Sequence, residues 1–450
     1  MPPRGDAGPI DTVTSQMLSG GFWLYLDTLI ASILNYAFWL AISYLVSMSE
    51  VGFATTALSL ASLSSILLGL GLDYAILAGV PRLGARVYWA ALLVGGATCS
   101  TGVAISMLFL GVYEGFAACA WLAAALTVAS FTANASRSCV LACIKPKTVF
   151  AIDLSGIVFI KLLLGIALAA LGRGAPGIVS AIIAQQLFLT CYFAYSAWRA
   201  LGFSAPLKSD FSYAIKIGLS NYPRIVTQCL VWSASTVLLA WLTRDPELVG
   251  VFYMASMASL VLIGGVLNNL SLMALPLLSR ARAYSGYDGL RIGLGVAIPA
   301  AALAACGSRF ILGLLGENYA AGWPFLFWLS ISAIPQGIVA FIVSELNARH
   351  RLGEVLAIGI AQLGSLSILL PSLISMWSGL GAPLAVLFAS ILSLVLALKF
   401  ADARQWLVRG FAALTLGIAA GSALGLGSLA SGIAAASISF AGILLFKLVS

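Results

Sequence analysis

Asn221, Arg224 and Gln228 stand at i, i+3 and i+7 within an apolar stretch, so one face of a helix would carry all three. A guanidinium flanked by two amides is equipped to hold an anionic group. Arginine meets a phosphate or carboxylate with two parallel hydrogen bonds, and the amides supply further donors and acceptors. Lys161 is a second cation within apolar sequence. Asp27 and Asp153 are the acids that accompany them, suited either to binding a coupling cation or to pairing with a cationic side chain. Asn35 belongs to a polar stripe with Thr28, Ser32 and Trp39, beside Asp27. Two plainer roles stay open: Arg224 as one half of an assembly ion pair, and Lys161 paired with an acid such as Asp27.

The elements that must carry these residues are membrane helices. Of 450 residues, 61% are hydrophobic and 8% charged, and the mean hydropathy is +1.06. A soluble domain keeps about a quarter of its residues charged. Apolar runs of about 20 residues separated by short polar ones instead mark a polytopic α-helical membrane protein. Fourteen spans are predicted between residues 20 and 448. Asp27 and Asn35 fall in span 1 (20–46), Asp153 and Lys161 in span 5 (148–171), and Asn221, Arg224 and Gln228 in span 7 (212–242). Charges at membrane depth are expensive, which makes each a functional candidate. Pro223 is expected to bend span 7 beside Arg224.

The net charge of +8 reads as a topology signal, not as a nucleic-acid footprint. Most Lys and Arg, including Arg82, Arg86, Arg137, Lys145 and Lys147, fall on one side once the N-terminus is placed in the cytoplasm. Both termini are then cytoplasmic, in a cell (plasma or inner) membrane. The seven cysteines and single histidine have no zinc spacing, and no Gly-Lys pair exists to build a phosphate-binding loop. No metal, no cofactor and no enzymatic activity are expected.

A repeat organises the chain. Gly172-Arg173-Gly174-Ala175-Pro176 and Gly379-Leu380-Gly381-Ala382-Pro383 each follow a fifth span, and Val51-Gly52-Phe53 parallels Val249-Gly250-Val251. Pro81 and Pro276 are each expected to close a span. The reading is a cytoplasmic segment 1–19, an N-lobe 20–205 (spans 1–6), a C-lobe 206–402 (spans 7–12) and an extra helix pair 403–450 (spans 13–14). Two parallel six-helix lobes suit an alternating-access transporter. Gly417, Gly421 and Gly425 in span 13 read as a close-packing stripe.

Ser49-Glu50-Val51-Gly52-Phe53 with Leu70-Gly71-Leu72, and Ile311-Leu312-Gly313-Leu314-Leu315-Gly316-Glu317-Asn318-Tyr319 followed by the second Gly-Ala-Pro string, carry a family likeness. On them the chain resembles a Wzx-type polysaccharide flippase of the multidrug/oligosaccharidyl-lipid/polysaccharide exporter superfamily. The resemblance implies two lobes around a central cavity lined by spans 1, 2, 7 and 8. It also implies outward flipping of a polyprenyl-phosphate- or pyrophosphate-linked oligosaccharide, with membrane lipids and other polysaccharide-assembly membrane proteins as partners and no nucleic acid. Arg224, Lys161, Asn221, Gln228 and Asn35 would contact the substrate, and Asp27 and Asp153 are the candidates for ion coupling. The alternative is a cation-coupled multidrug-extrusion antiporter of the same superfamily. A lipid II flippase or a membrane polysaccharide polymerase ranks below both.

Overall fold

The computed structural model describes residues 9–46, 50, 54, 58, 61, 64–110, 117–231, 235–243, 246–260, 263, 265–280, 287–314, 317–401, 417–418 and 428–445. Among these, all regular structure is helical. In chain order the helices are α1 (Pro9–Leu45), α2 (Leu72–Leu83), α3 (Ala85–Leu110), α4 (Ala117–Ala142), α5 (Pro146–Ala170), α6 (Gly174–Leu201), α7 (Lys208–Cys229), α8 (Ser235–Thr243) and α9 (Pro246–Ser259). They continue as α10 (Gly265–Arg280), α11 (Tyr287–Cys306), α12 (Ser308–Gly313), α13 (Glu317–Ala320), α14 (Trp323–Ala348), α15 (Leu352–Trp377), α16 (Gly381–Phe400) and α17 (Leu429–Leu445). Val51-Gly52-Phe53, Leu315-Gly316 and nearly all of span 13, with Gly421 and Gly425, lie outside the described residues.

Six helical stretches among the described residues are long and apolar enough to cross a membrane. They are Ser15–Trp39, Pro146–Ala170, Gly174–Leu201, Gly289–Cys306, Trp323–Ala348 and Leu352–Phe400. The last is 49 residues long and contains two expected spans joined through a 3-10 turn at Ser378–Leu380. Large apolar side chains stay exposed along several of them: Phe159 and Leu163 on α5, Trp198 on α6, Ile368 and Met376 on α15, Val395 on α16. A helix apolar on both its packed and its open face is suited to lipid. The chain is a multi-pass, all-helical membrane protein.

Packing groups the chain into two units, one formed by Trp23–Ile225 and the other by Met1–Phe22 with Val226–Ser450. This grouping speaks to packing, whereas the lobe division at 205/206 concerns the repeat. In the first unit α4 packs on α6, α2 and α3, and α5 on α6. Its core includes Phe38, Ile42, Leu126, Ile178 and Ile182. In the second, α15 packs on α16, α11 on α17, and α14 on α10, α11 and α16, around a core that includes Leu239, Phe252, Phe325, Leu326 and Leu370.

Three local expectations need correction. Span 2 (51–79) is not one continuous helix: a turn interrupts it, with Leu70 at φ 49° and Gly71 at φ 71° before α2 begins at Leu72. Pro81 does not end a helix either, because α2 runs to Leu83. A proline so close to the C-terminus removes one hydrogen bond near the fraying end. Pro276 likewise lies inside α10.

The two Gly-Ala-Pro strings do open α6 and α16, with proline in the first turn, where its missing N–H is no loss. Their glycines serve different needs. Gly172 and Gly174 have φ of 72° and 52°, a region that L side chains avoid. At Gly381 the backbone is ordinary helix, but a Cβ would lie 2.1 Å from the Leu373 carbonyl oxygen.

Candidate functional site

The polar residues of the first unit concentrate on one short run of α4. Ser136, Arg137 and Ser138 are consecutive, so their side chains leave the helix about 100° apart and reach different neighbours. The Tyr88 hydroxyl on α3 lies 2.9 Å from Ser136 Oγ. Arg137 donates from Nη2 to Asp27 Oδ2 on α1 and from Nε to Asp153 Oδ2 on α5, both at 2.8 Å. Ser138 lies beside the carboxyl of Asp73 at the start of α2. This knot ties α1 through α5 together.

The two acids proposed for ion coupling are thus brought together by a shared arginine. Arg137 had been assigned to the cytoplasmic charge excess; here it closes an ion-pair bridge, with 28% of its side chain exposed against 7% for Asp27 and 13% for Asp153. The bridge leaves Asp27 Oδ1 buried and without a hydrogen-bond partner. Charge-assisted bonds of this length are the strong kind, and withdrawing the shared cation would strand two carboxylates in a poorly solvated setting.

Lys161 sits in a different environment. Within α5, residues Gly156–Leu162 form a π-helical segment, a widened turn that recurs at functional positions. From it Lys161 donates a hydrogen bond to Asn35 Oδ1 on α1, and its ammonium lies 4.9 Å from the centre of the Phe38 ring. The plainer expectation of a pair with Asp27 is therefore corrected: the amide of Asn35 takes the lysine, because Arg137 already holds the acid. Two residues proposed to contact substrate, Lys161 and Asn35, are direct partners.

Arg224 on α7 is 4% exposed and donates from Nη1 to the Tyr74 hydroxyl at 2.9 Å, with its guanidinium 5.6 Å from the centre of the tyrosine ring. Neither Lys161 nor Arg224 has a carboxylate within ion-pair distance among the described residues. Asn221, fully buried, turns its amide nitrogen back onto the Ile217 carbonyl of its own helix. Gln228 is half-buried on the same helix, four residues beyond Arg224. α7 continues through Pro223 without a break.

The turn before α2 positions the Arg224 partner. A Cβ on Gly71 would lie 2.7 Å from the Gly218 carbonyl oxygen, and one on Gly218 would lie 2.6 Å from that of Leu70. Two glycines thus let α7 dock directly on the interrupted segment, one residue ahead of Leu72 and three ahead of Tyr74.

Sequence reasoning passed over Arg137 as a bridge, and over Asp73, Tyr74 and Ser138. Asp73 had a usable signal, since an ionisable residue inside a predicted span is by default a functional candidate. The run Ser136-Arg137-Ser138 was also visible as three polar residues within otherwise apolar sequence.

Comparison with known proteins adds the fold. No protein-family model matches the chain, and no curated protein matches it. Solved structures do. The VcmN MATE transporter of Vibrio cholerae superposes with a TM-score of 0.67 at 15% identity, covering 88% of this chain and 99% of that one. The eukaryotic MATE transporter AtDTX14 gives a TM-score of 0.67 at 15% identity, over 90% of this chain and 98% of its own. An outward-facing multidrug resistance MATE transporter of the MOP superfamily gives 0.63 at 12% identity, over 89% and 96%. None of these three is a polysaccharide flippase. At these identities the likeness speaks for the fold, and it spans nearly the full length of each neighbour: the chain has the fold of the MATE transporters.

Proposed function

We propose that this chain is an alternating-access membrane transporter that extrudes its cargo at the expense of a cation gradient, as a multidrug-extrusion antiporter does. The observation that supports this most is the agreement of fold with MATE transporters over almost their entire length, one of them described as a multidrug resistance transporter. The Asp27–Arg137–Asp153 bridge supports coupling, because it keeps a carboxylate oxygen buried and unsatisfied among the helices. On this reading Asp27 and Asp153 belong to the coupling machinery. The protein lies in the cell membrane with both termini cytoplasmic. In everted vesicles, wild-type protein is expected to drive gradient-dependent transport of ethidium, and Asp27→Asn to lose it at equal protein level. Gradient-independent movement, or full activity in Asp27→Asn, would remove this reading.

A second reading, outward flipping of a lipid-linked oligosaccharide, is favoured by one specific observation: Lys161 and Arg224 are cations without carboxylate partners among the described residues. Such groups suit a phosphate or pyrophosphate head better than a cationic drug. On this reading Arg224→Ala and Lys161→Glu halt delivery of surface polysaccharide while Lys161→Arg largely preserves it. Normal surface polysaccharide in Arg224→Ala would exclude that role.

A further inference from the structure

The long apolar stretch Leu352–Phe400 is broken at the turn between α15 and α16, and a cavity of about 520 Å³ opens at that break. It lies within the second packing unit and contains none of the residues considered above for coupling or cargo. Its volume falls in the range of small-molecule sites, about 300–1,000 Å³. Thr243 at the end of α8, Leu248 on α9, and Ser375, Trp377 and Ser378 at the end of α15 line it. Trp377 is 50% exposed. A tryptophan closing a helix of membrane-crossing length stands where lipid headgroups begin.

What the cavity offers is acceptors. Residues 374–377 end α15, so their carbonyls have no partner within the helix, and all of them line the cavity. The hydroxyls of Ser375 and Thr243 donate to carbonyls of their own helices, Ser372 at 2.8 Å and Leu239 at 2.7 Å, so toward a ligand each can only accept. A phosphate or carboxylate would bring more acceptors to the negative end of a helix, where anions are disfavoured. An ammonium would find no carboxylate among the lining residues. A sugar brings several uncharged O–H donors along its edge and C–H groups on its face. The Trp377 indole supplies a flat apolar surface for that face.

Ser378 points the same way. At φ 51° and ψ −129° it occupies a backbone region that glycine alone adopts without strain, and strain of this kind collects at binding sites. Glycine would make the turn at lower energy, whereas serine places a third hydroxyl residue at the cavity wall. We propose that this cavity binds the neutral sugar headgroup of a membrane glycolipid, whose acyl chains stay in the bilayer beside Met376, itself 69% exposed. The lipid is a resident of the joint between α15 and α16 and not the cargo, so the site holds whichever cargo is moved.

The test is native mass spectrometry of the full-length protein released from detergent. Monogalactosyl diacylglycerol should bind one-to-one at a concentration about tenfold lower than phosphatidylglycerol or phosphatidylethanolamine with the same acyl chains. Trp377→Ala removes a half-exposed side chain, so it should leave the fold intact and weaken glycolipid binding about tenfold. Ser378→Gly should raise the melting temperature while weakening the same binding, a combination that a merely structural serine would not give. Free galactose at the same concentration should leave the lipid bound. Phospholipid that binds as tightly, unchanged binding in Trp377→Ala, or displacement by free galactose would overturn the proposal. So would a Ser378→Gly protein that melts no higher, or that binds as well as wild type. No gradient and no cargo enter the measurement, so its outcome is separate from that of the transport reading.

Discussion

Arg137 shows how a single side chain carries the organisation of this unit. It donates to carboxylates 110 and 16 residues away in sequence, on α1 and α5. Arg137→Met would leave both acids buried and unpaired, at a cost of about 3 kcal/mol. Thermal unfolding of the purified protein in detergent should show that loss. The triple variant Asp27→Asn, Arg137→Met, Asp153→Asn should recover most of it, because it removes the stranded charges along with the cation. Equal destabilisation of the single and triple variants would show that the bridge is not what holds these helices. At this scale the sequence exposed the rare charged residues, since apolar surroundings make Asp27, Asp153, Lys161 and Arg224 conspicuous. Their partners were hidden, because each contact is made between residues distant along the chain. Asn35 and Tyr74 are ordinary residues until the fold brings Lys161 and Arg224 to them.

Among the elements, the interrupted helix ahead of α2 is the feature that periodicity could not supply. Span 2 (51–79) reads as one apolar run, yet Leu70 and Gly71 adopt positive φ and the chain turns before Leu72. The physical reason lies in α7, whose Gly218 backbone comes against that turn. Gly71→Ala would force a side chain into both a left-handed backbone and the Gly218 carbonyl. The variant should lose the backbone term of about 1–2 kcal/mol for the left-handed conformation, and measurably more for the contact, in thermal unfolding of the purified protein. A loss no larger than the backbone term would show that the approach of α7 carries no energetic weight. The Gly-Ala-Pro strings were legible as helix openings. Their local geometry was not, since only one of the two uses positive φ.

For the molecule as a whole, the composition made a multi-pass helical protein plain. The repeated strings pointed to an alternating-access transporter, and the fold is that of the MATE transporters. The choice between extrusion and flipping was not legible, because both kinds of cargo require charged residues at membrane depth. The motifs that suggested a polysaccharide flippase are loose glycine patterns, and glycines such as Gly71 and Gly381 answer to local packing rather than to cargo. Direct transport decides the matter. In proteoliposomes holding the purified protein, an imposed pH gradient should drive ethidium uphill and stop doing so when the gradient is collapsed. Ethidium that equilibrates no faster than in empty liposomes, while a polyprenyl-pyrophosphate-linked oligosaccharide crosses the same membranes, would contradict the account.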